Sequence, residues 1–213
     1  MKFSLIRPAG ALVLALGLAS CGGGGDDNSF SIKGVVEGLE YPGLVLTTNG
    51  SDLAVAPPAK VPDPVEFTFP NRLDYGDEFS ISVKTQPAHQ ECGVNVQFPR
   101  SVYGTGGELT QINARFSCTV NDYPIGGKIT GLTKDTPGLV LTNGSSGGSI
   151  APVTDLTTGA AIEYVMPFEV KYDVSYGVTI VTQPTGRFCT VSNPTGVMGD
   201  ANVTNINVNC VPT

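Results

Sequence analysis

The string Pro-Gly-Leu-Val-Leu-Thr-Thr-Asn-Gly at Pro42–Gly50 returns, one Thr shorter, at Pro137–Gly144. Self-similarity on this scale means one folding unit used twice, so it limits the architecture more than composition does. The match extends well beyond the string. Ile32, Gly34, Val36, Gly38 and Leu39 align with Ile125, Gly127, Ile129, Gly131 and Leu132. Val55-Ala56-Pro57 aligns with Ile150-Ala151-Pro152. From Glu66 to Cys92 the register holds without a gap against Glu163 to Cys189, and Cys118 meets Cys210. Two copies are expected, at residues 30–121 and 123–213.

Each copy reads as β. Phe67–Phe69, Phe79–Val83 and Ile206–Cys210 alternate apolar and polar residues, the period of a strand with one buried face. Leu-Val-Leu at 44–46 and 139–141 runs into Asn-Gly, which readily takes positive φ at both turn positions and predicts a type I′ hairpin. The chain holds 27 Gly and 16 Pro, the poorest helix formers, and no stretch after residue 20 carries helical periodicity. About seven short strands per copy predict a β-sandwich, so the fold class is all-β with two tandem sandwiches.

The first residues are of another kind. Lys2 and Arg7 precede an apolar run from Pro8 to Leu18, too short to span a bilayer. That is the layout of a signal peptide over 1–20. Leu18-Ala19-Ser20-Cys21 resembles the bacterial lipobox. The resemblance implies cleavage before Cys21, lipid on Cys21 and, with Gly22 rather than Asp next, sorting to the outer membrane. Residues 21–29 then form the lipidated Cys and a flexible tether, Gly22 to Ser29, that reaches at most roughly 30 Å. Removing Lys2 and Arg7 leaves 10 basic and 19 acidic side chains, a net charge of −9. Such a surface is repelled by phosphate, which excludes nucleic acid as a partner. The membrane is expected as a partner through the lipid alone.

Leu-Val-Leu with Asn-Gly, the Thr-Gln-Pro strings at 85–87 and 182–184, and a cysteine pair per copy resemble the Ig-like repeats of bacterial surface lipoproteins. The core Trp of antibody domains is missing, and the Cys spacing is shorter than theirs. With Cys21 set aside, four cysteines allow three pairings. The repeat selects Cys92–Cys118 and Cys189–Cys210, each tying a terminal hairpin within one copy. Such bridges need an oxidising compartment, in agreement with export.

Catalytic residues are not expected. Gly144-Ser145-Ser146-Gly147-Gly148 matches G-x-S-x-G, but it lies in a turn between strands, and the only His, His89, precedes Ser146. The nucleophile elbow needs a strand-to-helix turn with the His last. His89 reads as a lone exposed residue, since its aligned position is Gly186. Asp74, Asp77 and Glu78 read as a solvated turn, and Tyr75, Tyr172, Phe79 and Tyr176 as core or corner residues. Neither metal nor cofactor is expected. The function that fits is a non-catalytic interaction or adhesion module with a protein or polysaccharide partner, the alternative is a structural envelope spacer without a specific ligand, and an enzyme is the least favoured reading. Any binding surface should lie where the copies differ, at loops 58–64 and 97–108.

Overall fold

The structure, a computed structural model, describes residues 29–108 and 111–213. The signal segment 1–20, Cys21 and the tether through 28 lie outside the described residues. Among those described there is no helix, and the protein is all-β. The strands before residue 121 are β1 (Phe30–Glu37), β2 (Leu44–Thr48), β3 (Ser51–Val55), β4 (Val65–Leu73), β5 (Glu78–Ser80), β6 (Ser82–Thr85), β7 (Gln90–Val94), β8 (Tyr103–Thr105) and β9 (Ile112–Val120). Those after it are β10 (Asp122–Tyr123), β11 (Gly126–Thr130), β12 (Val140–Asn143), β13 (Ser149–Ile150), β14 (Ile162–Val165), β15 (Val170–Lys171), β16 (Ser175–Thr182), β17 (Arg187–Ser192), β18 (Thr195–Val197) and β19 (Asn207–Pro212).

In the first half one sheet has the order β4-β1-β9-β7 and another β3-β2-β6, with β5-β8 as a short ribbon. In the second half the orders are β14-β11-β19-β17 and β13-β12-β16-β18. In both four-stranded sheets that hold the cysteines, the sheet's first strand in chain order lies parallel to its last, β1 to β9 and β11 to β19. Alternation turns the apolar side of each strand inward. Ile32 and Val36 of β1, Leu44 and Leu46 of β2, Phe67 and Phe69 of β4 and Phe116 of β9 share one core. Ile129, Leu139, Leu141, Tyr164, Val178 and Val208 belong to a separate second core. Sheets that enclose a core between inner faces are consistent with a β-sandwich.

The matched glycines have a packing reason. A Cβ on Gly34 would overlap the Ala114 carbonyl oxygen and the Phe67 ring, and one on Gly127 would overlap the Ile206 carbonyl. Only hydrogen fits where the first and last strands of each of these sheets run side by side. The Asn49-Gly50 turn joins β2 to β3 with φ of 46° and 76°, as a type I′ hairpin demands.

Four details depart from the sequence reading. Phe79–Val83 is not one strand. The Ile81 N–H turns away to the Val102 carbonyl, so β5 joins β8 while β6 joins β2. The second Asn-Gly is no I′ turn, because Asn143 stays in β12 with its side chain buried and the turn falls on the residues after it. The cysteine-bearing strands are neighbours but not a hairpin, since β8 and β18 leave for other strands between them. For the same reason, segment 97–108 is not simply a loop but carries β8.

Candidate functional site

Strand β1 lies between β4 and β9, so both of its edges are hydrogen-bonded. What it offers a partner is its outer face. Period two places Ile32, Gly34 and Val36 inside and Ser31, Lys33, Val35 and Glu37 outside. Registration sets their neighbours. Lys33 stands between Thr68 and Asn113, Val35 between Glu66 and Arg115, and Ser31 beside Arg72. Together they line a groove of about 660 Å³, bordered by Pro64 at one side. That volume lies within the roughly 300–1,000 Å³ typical of small-molecule sites.

Charge is unevenly distributed along the groove. The Arg72 guanidinium donates from Nε to Ser29 Oγ at 2.6 Å, from Nη1 to Ser31 Oγ at 2.8 Å and from Nη2 to the Ser29 carbonyl at 2.7 Å. It is held in place by neutral oxygens. Among the described residues neither Arg72 nor Lys33 makes an ion pair. The other end is acidic and already satisfied in part. Glu37 accepts from Asn95 Nδ2 at 3.2 Å, and Arg115 Nη1 lies 3.7 Å from its carboxylate. The Arg115 guanidinium also sits 4.6 Å from the centre of the Phe98 ring. Thus loop 58–64 reaches the groove through Pro64, and segment 97–108 touches its lining residue Arg115 through Phe98.

These cations stand only in the first half. Ser31, Lys33, Arg72 and Arg115 align with Pro124, Gly126, Glu169 and Asn207. The corresponding face of the second half has a smaller groove of about 400 Å³ that includes Lys128, Glu163 and Asn202. Sequence reading fixed on loops and passed over these side chains. The available signal was the outward phase of β1 and β9 combined with the absence of the same cations from the aligned positions of the second half.

The other candidates resolve differently. Cys92 is bonded to Cys118 and Cys189 to Cys210, in each case directly across two adjacent antiparallel strands. Ser146 of the G-x-S-x-G string accepts a hydrogen bond from Asn143 Nδ2 at 2.7 Å, while Asn143 Oδ1 accepts from Ser145 and from Gly177 N. The string is therefore a turn organised by a buried Asn. Asp77 accepts from the Asp74 N–H, the closure of a turn. Among the described residues no cluster of three or more His, Cys, Asp or Glu could hold a metal ion.

Two expectations are corrected. Tyr75 is 76% exposed and so is not core, whereas Phe79 is buried. His89 is not alone. Its ring stacks on Tyr172 with centroids 3.7 Å apart, meets Tyr41 edge-on, and places Nδ1 2.8 Å from the Asp200 carboxylate. Burial and, behind it, the Asp173 and Glu40 carboxylates raise the Tyr41 phenol above its ordinary pKa. Linear reading missed the cluster because its members come from both halves. No protein-family model matches the chain, and no curated protein matches it in sequence.

Proposed function

We propose that the chain is an exported, lipid-anchored protein of the bacterial cell envelope that acts as a non-catalytic interaction module. In this reading residues 1–20 are a signal peptide, Cys21 carries lipid, 21–29 tether the protein to the outer membrane, and 30–121 and 123–213 are tandem Ig-like β-sandwiches. Support comes from the lipobox resemblance and from disulfides, which form in oxidising compartments. The observation that carries the interaction role is the groove on β4-β1-β9. Its cations have no counterpart at the aligned positions of the second half, and among the described residues Lys33 and Arg72 make no ion pair.

Anchoring is tested by Cys21→Ser, which should release the protein from the membrane fraction or leave it unprocessed; unchanged fractionation would exclude the lipid. The interaction role is tested by capturing envelope components on the mature chain and on a Lys33→Gln variant. A component held by the parent and lost by the variant supports it. The spacer reading is favoured by one feature, the continuous hydrogen bonding between the halves described below, and it stands if nothing is captured.

A further inference from the structure

We infer that the groove on the outer face of β4-β1-β9 takes an anionic polysaccharide, a hydroxyl-rich chain bearing sparse carboxylates such as uronic acids. The inference deepens the proposed interaction role and rests on it. Three observations lead there. First, the face is closed to an added peptide strand, because β1 is paired on both edges and its backbone groups are engaged. A peptide would need pockets for apolar anchor side chains. Here the projecting side chains at the centre are Ser31, Thr68 and Asn113, beside Lys33. Hydroxyls and amides both donate and accept, which suits the hydroxyls of sugars.

Second, charge is concentrated at one end. Lys33 and Arg72 make no ion pair among the described residues, and the three bonds from Arg72 to Ser29 and Ser31 fix its orientation. Fixed guanidinium geometry favours carboxylate recognition. Third, the other end carries Glu37, four residues along β1 from Lys33 and thus roughly 13 Å away at strand spacing, and Glu66 projects opposite Val35, midway between the two. A densely charged polyanion lying along the groove would meet both carboxylates. A chain with one charge among several hydroxyls would not. The protein's net negative charge acts in the same direction, against polyphosphates and nucleic acid.

The test uses the mature chain purified from the envelope and three immobilised probes: deacylated gellan, a polysaccharide in which neutral sugars separate the uronates, dextran and poly-L-glutamate. Gellan should be retained best, and retention should fall as salt rises. Lys33→Gln with Arg72→Gln should weaken it at least tenfold, while Lys134→Gln, in the second half, should leave it unchanged. Melting would show whether the double variant folds. If it does not, Lys33→Gln alone serves, because Lys33 makes no side-chain hydrogen bond among the described residues, and at least a threefold loss is expected. Lack of gellan retention overturns the inference. So does equal retention on dextran, which removes the role of charge, or on poly-L-glutamate, which makes the partner an acidic peptide. Retention untouched by the substitutions overturns it as well. Failure on these probes leaves the capture experiment with Lys33→Gln to decide the wider interaction role separately.

Discussion

Gln86 and Gln183, the middle residues of the two Thr-Gln-Pro strings, show why a polar side chain recurs in this fold. Cys92 and Cys118 face each other with Cα atoms 4.0 Å apart, and Cys189 and Cys210 at 3.9 Å. Such close pairs are the non-hydrogen-bonded kind, so the N–H and C=O of Cys92 and Cys189 point away from the partner strand. They point to the open side, because β7 and β17 are sheet edges. There the Gln86 amide accepts from Cys92 N at 2.8 Å and donates to Cys92 O at 3.0 Å. Gln183 treats Cys189 alike, at 2.7 and 3.1 Å. A side-chain amide thus stands in for a missing strand. Gln86→Met keeps the bulk and removes both bonds, which are part-buried, so it should cost about 0.5–1.5 kcal/mol in denaturant unfolding, the net worth of such hydrogen bonds. A change below a few tenths would mean that water replaces the amide without loss. Tyr164 gives a second handle. Its hydroxyl donates to the Ile206 carbonyl at 2.8 Å, and desolvation pushes its pKa up to about 12. The ordinary phenol value is 10.0, so between pH 10 and 12 the unfolded state loses its proton and the folded state keeps it. Stability should hold below pH 10 and fall through that window, and Tyr164→Phe should flatten the fall attributable to this residue. An alkaline unfolding curve of identical slope in the variant would count against the assignment.

At the scale of elements, the disulfides act on neighbouring strands of a single sheet, with sequence separations of 26 and 21 residues. Closing loops of that length stabilises by about 3–4 kcal/mol on the chain-entropy account. The two cores are separate, so Cys92→Ala with Cys118→Ala should lower the unfolding midpoint of the first half. Tyr164 and the second core serve as an internal reference that should hold its own midpoint, read by hydrogen exchange of β19 against β9. Equal loss of protection in both would show that the halves unfold together. Elements of this kind were largely legible in advance. Alternation gave the strands around Phe67–Phe69 and Ile206–Cys210, and Asn49-Gly50 gave a hairpin, because both signals are local. The break at Ile81 was not legible, since it depends on the Val102 carbonyl some twenty residues on. Nor was the misplaced second turn, where a buried Asn143 side chain outweighs the preference of Asn-Gly for positive φ. The groove was half legible. Its flanking segments stood out as differences between the copies, but Lys33, Arg72 and Arg115 come together only once β1, β4 and β9 are registered.

At the scale of the whole molecule, the question is whether the two halves move independently. A short connection containing Pro124 already predicts close neighbours, and the backbone between β9 and β10 supplies the mechanism. The Asn121 N–H donates to the His89 carbonyl, extending the ladder of β7 with β9. The Asn121 carbonyl accepts from the Tyr172 N–H, extending the ladder of β10 with β15. One residue is therefore bonded on one side to the first half and on the other to the second. Around it, the stack of His89 on Tyr172, the edge contact of Tyr41 with both rings and the His89–Asp200 contact fix rotation about the strand. The first half supplies Tyr41 and His89, and the second Tyr172 and Asp200, so the cluster exists only when the halves hold this orientation. Aromatic pairs contribute about 0.5–1.5 kcal/mol each beyond their burial, enough to bias a hinge though not to lock it alone. Partially aligned NMR samples should give a single alignment tensor for both halves of the parent. His89→Ala with Tyr172→Ala removes the stack while sparing the backbone bonds, and should split the tensors while each core keeps its own melting behaviour. Two tensors in the parent would make the junction a free hinge, and one tensor in the double variant would place its stiffness in the Asn121 ladder alone.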